Sequence, residues 1–173
     1  MRNYLLEVKQ LVAENPIINL SGHFNACTPQ EVAELEREIG LKLPLAYKEF
    51  LLWAGKGLGV FEEGSTFYYD QDLIELQQTA REFLIEDNFP KELPDDAFVF
   101  WMHQGYMFCF FRMSEGDNPL VHNYSEGRNE GQIFYNKENS FTDFWRGEIK
   151  DQAENYVEAA RLQDEMARDW RNS

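Results

Sequence analysis

The feature that most constrains this chain is the run from Ala97 to Met113, rich in strand-forming residues and interrupted only by His103-Gln104-Gly105. Two β-branched and aromatic runs separated by a short glycine-containing break read as a hairpin. Its arms, Phe98 to Met102 and Tyr106 to Met113, are apolar on both alternating faces. A strand with one face in water alternates. These do not, so they are central strands covered on both sides, or part of a sheet with a docked partner.

The rest of the chain offers helices as covers. Leu5, Val8 and Val12 fall at helical spacing before Asn15-Pro16, where the residue preceding proline leaves the helical region. Thr28-Pro29-Gln30-Glu31 joins a capping threonine, a proline at the first helical position and a glutamate three after the cap, with Cys27 and Val32 placed as a staple. Val32, Leu35 and Ile39 form that helix's inner stripe, and Gly40 is placed to close it. Pro44 opens a largely buried helix through Ala46, Tyr47, Phe50, Leu51 and Trp53, with Lys48 and Glu49 outward, ended by Gly55, Gly57 and Gly59. Val60-Phe61 and Thr66 to Tyr69, flanking Gly64, suggest a strand pair. Asp72 then caps a helix with Leu73, Leu76, Ala80, Phe83 and Leu84 along one face.

After the hairpin, strands are expected at 119–124 and 132–135, joined by the turn from Gly127 to Gly131, and then a short helix through Phe141, Phe144 and Trp145 capped by Ser140 or Thr142. From Ile149 the spacing of Ala153, Tyr156, Val157 and Ala160 is helical, but the stripe drifts to Leu162, Met166 and Trp170. This helix outgrows the core and could pack on its own domain or on a second copy. The order predicts an α+β fold, an antiparallel sheet meander packed with N-terminal helices, one inserted helix and a long C-terminal helix. At 173 residues and 43% hydrophobic, a single domain over 1–173 is expected. An aromatic share of 15% excludes a disordered acidic chain.

The formal charge is −15, which repels phosphate backbones and excludes direct nucleic-acid or anionic-membrane binding as the expected role. Eleven acidic residues stand between Glu62 and Asp96 against Arg81 and Lys91 alone. That segment is either a solvated face or a field that steers a basic partner. The amino terminus lacks the pattern of a signal peptide and no window matches a membrane span, so a cytoplasmic location is expected.

The run from Thr28 to Gly59 resembles the opening of the SUKH superfamily, which takes in fungal regulators of cell-wall synthesis and bacterial immunity proteins. Two features carry the likeness. One is the capped helix with Thr28, Pro29, Glu31 and Glu36; the other is Leu43-Pro44-x-x-Tyr47-x-x-Phe50-Leu51 with its exit at Gly55. The likeness extends over about 28–146, leaving 147–173 as a helical extension; the hairpin carries less glycine and aspartate than is common in relatives. It implies a non-enzymatic domain that binds another protein, in bacteria commonly to neutralise a cognate toxin such as a nuclease or deaminase. The fungal branch implies instead a scaffold-like regulator of an endogenous enzyme or of cell-wall synthesis. The shared residues Leu43, Pro44, Tyr47, Phe50, Trp53 and Gly55 would be core and turn positions.

No pattern of catalytic, metal or cofactor residues emerges. His23, His103 and His122 with Cys27 and Cys109 are the soft-metal candidates, and only His23 and Cys27 lie close in sequence, ahead of the cap at Thr28. Both cysteines read as reduced and structural. Gly55-Lys56-Gly57-Leu58-Gly59 lacks the phosphate-loop pattern. The candidates for partner contact are therefore the acids Glu62, Glu63, Asp70, Glu86, Asp87, Asp95 and Asp96, with Trp101 and Tyr106 from the aromatic hairpin as an apolar strip. The expected partner is a protein, most simply a basic toxin domain; a small-ligand module or enzyme built on the hairpin is a third class.

Overall fold

The computed structural model describes residues 3–15, 24–58, 64–69, 71–127 and 133–171. Its helices are α1 (Leu6–Glu14), α2 (Pro29–Ile39), α3 (Leu45–Ala54), α4 (Gln71–Glu86) and α5 (Phe141–Arg171). Strands β1 (Phe24–Asn25) and β2 (Gly57–Leu58) form a small antiparallel pair. Strands β3 (Ser65–Thr66), β4 (Ala97–His103), β5 (Met107–Arg112), β6 (Val121–Ser125) and β7 (Tyr135–Glu138) form an antiparallel sheet in sequence order. The fold is α+β.

The hairpin of β4 and β5 is central, and the chain itself covers both its faces. On one face the Tyr47 ring of α3 lies 5.5 Å from Phe98, 5.2 Å from Phe111 and 5.5 Å from Phe141 of α5. Phe50, one turn on, stacks on Trp145 at 4.5 Å. Offset and edge-on ring pairs of this kind add to the burial of large apolar area. The opposite face, with Phe108, Phe110 and Tyr124, is closed by Phe89 and Phe134. A bulge between Val99 and Trp101 lets consecutive residues Phe100 and Trp101 both reach Phe144. Beyond the short β3, the Gln77 amide of α4 takes the place of a strand, accepting from Val99 N–H at 2.9 Å and donating to its carbonyl at 2.7 Å.

The capping box forms as predicted: Thr28 Oγ accepts from Glu31 N–H at 3.3 Å, and Glu31 Oε2 accepts from Thr28 N–H at 2.8 Å. Gly40 closes α2 at φ +69°. Glu36 then clamps the turn into α3, accepting from Leu43 N–H at 2.9 Å and from the Lys42 and Lys48 ammonium groups at 3.0 Å each. At Gly55 a Cβ would come within 2.6 Å of both Cys27 Sγ and the Leu51 carbonyl, so close approach demands glycine there.

Several expectations need correction. Leu45 and Leu52 are the exposed residues of α3, whereas Lys48 and Glu49 are half-buried, held by Glu36 and Lys9. The segment after Gly64 pairs through Ser65–Thr66 with β4; Val60-Phe61 and the 128–131 turn lie outside the described residues. The last strand is Tyr135–Glu138 rather than 132–135: it is an edge strand in which the polar Asn136 and Glu138 pair with β6 alongside Tyr135. The helix from Phe141 runs unbroken to Arg171, and Gly147 does not interrupt it. Ser140 Oγ caps it by accepting from Asp143 N–H at 3.1 Å. The inserted helix begins at Gln71, one residue before the expected cap at Asp72. In α5, Ile149 is fully buried, while Val157, Leu162, Met166 and Trp170 stand in solvent, so the helix does outgrow the core.

Two stability outcomes follow. Phe50→Ala should cost about 3–5 kcal/mol, whereas Tyr47→Phe, which removes a buried hydroxyl with no hydrogen-bond partner among the described residues, should be neutral or stabilising by about 1 kcal/mol. Urea unfolding of both variants measures this; a Tyr47→Phe loss above about 1 kcal/mol would show that the hydroxyl is satisfied. Separately, the Lys56 ammonium bonded to Glu31, helped by Thr28, pulls the Glu31 carboxyl from 4.5 down to about 2. Its folded-state value is the lower one, so its stabilising effect is present above 4.5 and is lost as pH falls towards 2. Glu31→Gln should flatten the fall in urea midpoint across that window; an unchanged slope would exclude the pair as a contributor.

Candidate functional site

Three segments far apart in sequence meet where the last turn of α4, the tip of the β4–β5 hairpin and the end of β6 come together. They enclose a pocket of about 190 Å³. The hairpin register builds one wall. Gln104 and Gly105 sit at φ +46° and +76°, Tyr106 N–H donates to the His103 carbonyl at 3.2 Å, and the Tyr106 carbonyl accepts from Glu126 N–H at 2.9 Å. A tight turn with positive φ at both central positions matches the twist of the strands it joins. A Cβ at Gly105 would lie 3.5 Å from the Phe83 ring, so α4 packs closely under the tip.

The second wall is the end of α4. Asn88 adopts φ +52°, its N–H donates to the Ile85 carbonyl at 3.0 Å, and Phe89 N–H donates to Leu84 at 2.8 Å. This pair of bonds is the Schellman closure of a helix, with asparagine as the left-handed residue. It fixes Glu86 and Asp87 at the pocket and Phe89 beneath Tyr124. The Tyr124 hydroxyl donates to Asp87 Oδ2 at 2.8 Å; burial first, and then Asp87, push its ionisation far above the usual tyrosine range. It therefore remains a donor and holds one oxygen of Asp87 in place.

Of the acids expected to meet a partner, Glu86 and Asp87 reach this pocket, together with Tyr106, which is 41% exposed. Asp95 is exposed but precedes β4, a strand roughly 20 Å long, at the end away from the tip. Beside it, Asp96 is held by Ser114 and by Arg112 at 2.9 Å, bonds that keep its carboxyl below the usual range against its partial burial. Trp101 is 3% exposed under Phe144, so its indole belongs to the core and not to a surface strip. Glu62, Glu63 and Asp70 lie outside the described residues. Sequence reasoning missed Glu126, Phe83 and Tyr124 as pocket residues. The signal was present in the meander register, since pairing of Phe108 with Tyr124 places Tyr106 opposite Glu126.

The other reactive groups among the described residues are committed elsewhere; His23 lies outside those residues. His122 Nε2 bonds Glu115 at 2.9 Å and His103 Nδ1 bonds Ser65 at 2.8 Å. Burial, reinforced by Glu31, pushes the Cys27 thiol up to about 11, so it is not an activated nucleophile. Among the described residues no three His, Cys, Asp or Glu side chains are grouped to hold a metal, and no helix is long and apolar enough to cross a membrane.

The arrangement of a capped α2, the Leu43-Pro44 entry to α3 and a helix-covered meander can be compared with known families, and residues 26–147 match the SMI1 / KNR4 family (SUKH-1). The chain belongs to this family. No curated protein matches it. The SUKH-1 match runs from just before α2 through α3, α4 and the meander to the root of α5, and it includes every residue of the pocket. The SUKH motif positions are structural. Glu31 and Glu36 hold caps and turns, and Tyr47 and Phe50 fill the core.

Tyr124 offers a direct check on this geometry. In a ¹³C-tyrosine titration its ring signal should begin to move only above the pH at which free tyrosine ionises, and Asp87→Asn should bring the onset down part of the way. An onset unchanged by Asp87→Asn would mean that the hydroxyl does not bond the carboxylate.

Proposed function

We propose that this SUKH-1 chain is a non-enzymatic protein-binding module that acts as an immunity protein, neutralising a basic toxin domain such as a nuclease or deaminase. The observation that carries this reading is how its acids are used. Those on the family motif are spent on caps and turns, while Glu86, Glu92 and Asp95 are exposed and make no ion pair among the described residues. A nuclease presents a cationic groove to hold phosphates. A rigid acidic surface can occupy such a groove, with steered association that weakens in salt.

A second reading, a scaffold-like regulator of an endogenous enzyme or cell-wall pathway, draws on α5, whose outer half offers the exposed apolar side chains Val157, Met166 and Trp170. Co-expression with the toxin encoded beside this chain separates the two. Protection that survives removal of 157–171 favours immunity through the acidic face; continued killing by an active toxin in the presence of the intact, folded protein excludes it.

Reversing Glu86 and Asp87 to lysine should slow association with the partner tenfold or more at low salt and flatten its salt dependence, on the scale of electrostatic steering. Stopped-flow association across a salt series reads both effects. Rates and slope equal to wild type would reduce these acids to a solvated face.

A further inference from the structure

The last turn of α4 contradicts a general rule of helix electrostatics. A helix C-terminus is the negative end of its dipole and favours lysine, arginine or histidine. Here the final turn has no basic residue and carries Glu86 at the last helical position with Asp87 immediately after it. Glu126, one residue past β6, lines the same pocket. Three carboxylates therefore surround the negative pole of a helix, and no lysine or arginine among the described residues lines the space between them. A local rule broken with no compensating cation among the described residues is expected where a binding partner supplies one.

The walls define what kind of cation fits. The carboxylates are not grouped closely enough to hold a metal ion. Between them stand the rings of Phe83, Tyr106 and Tyr124. Aromatic faces interleaved with separated carboxylates match a planar, weakly hydrated guanidinium with five donors better than a compact ammonium or a divalent ion. The volume, about 190 Å³, equals roughly six waters, room for the head and part of the stem of one side chain.

On the other side of the same turn runs a groove of about 450 Å³ floored by Leu84, Phe89 and Leu93, with Ile85 standing 75% exposed on its rim. Its edge carries Arg81, Lys91 and Glu92, so unlike the pocket it is not uniformly acidic. The charge difference across Ile85 gives the surface a direction.

We propose that these two depressions are one docking surface for a basic protein partner, in which an arginine side chain enters the pocket of Glu86, Asp87, Glu126 and Tyr106 while a neighbouring apolar side chain lies in the groove beside Ile85. The inference rests on the reading of the chain as a protein-binding module and deepens it. The pocket is pre-formed by the Schellman closure and by the Tyr124–Asp87 bond, so little ordering opposes binding there.

The test uses the full chain and needs no knowledge of the natural partner, so its failure is distinct from failure of toxin protection. ¹⁵N-labelled protein is titrated with N-acetyl-arginine amide, with the uncharged isostere N-acetyl-citrulline amide, with calcium chloride, and with the tripeptide amides acetyl-Arg-Gly-Leu and acetyl-Leu-Gly-Arg. Arginine should shift the amides of Asp87, Gly105, Tyr106 and Glu126 saturably in the millimolar range, with citrulline at least tenfold weaker. One tripeptide order should bind several-fold tighter than arginine alone, and Ile85→Ser should remove that gain and nothing else. Glu86→Gln should weaken arginine binding several-fold while raising Tm by about 1–2 °C, since it relieves an unfavourable charge at the helix end. Equal binding of citrulline, matching shifts with calcium at the same or lower concentration, or no shift with any arginine probe would each overturn the proposal. So would a lowered Tm in Glu86→Gln, which would assign Glu86 to the fold.

Discussion

The packing of two rings from one helical face, Tyr47 and Phe50, sets the position of everything else. They lie one turn apart on α3, and between them they touch both strands of the central hairpin and the first two turns of α5. A sheet this apolar on both sides needs two covers, and these rings fix where the first one lies. The second cover, α4, then has to run along β4, and its end has to arrive beneath the hairpin tip, as the closeness of Phe83 to Gly105 shows. The pocket is thus a downstream result of core packing.

That hierarchy explains what could be read from the sequence. The cap at Thr28, the closure at Gly40 and the apolar face of α4 are local patterns, each decided within about a dozen residues, and each is found where it was expected. The hairpin was legible because two-faced apolar strands admit few arrangements. The edge strand was not. Its polar Asn136 and Glu138 carry no period of their own and are ordered by β6. Trp101 was offered for an apolar strip because part of the hairpin's second face could have stayed exposed, and Phe144 of α5 covers it instead. The pocket was half legible. Glu86, Asp87 and Tyr106 stood out by charge and aromaticity, but Glu126 joins them only through strand register.

Acidity divides into two populations with different physical roles. Glu31, Glu36, Glu49 and Asp96 each hold a basic side chain together with a backbone N–H, and they close caps, turns and loop ends. Those that face water around the end of α4 have no such partners among the described residues. Net charge alone conveys nothing about this division, which is why −15 could be read from the sequence either as solubility or as recognition.

The outer part of α5 carries a mechanical consequence. From the buried Ile149 to Trp170, at 1.5 Å per residue, the axis advances roughly 30 Å. A rod of that length held at one end amplifies angle into distance, so a change of about 10° at its root displaces the Trp170 indole by roughly 5 Å. The indole's location is therefore governed by how firmly Ile149, Trp145 and the α1 contact grip the base. Anything that seats on the tip gains leverage over that junction.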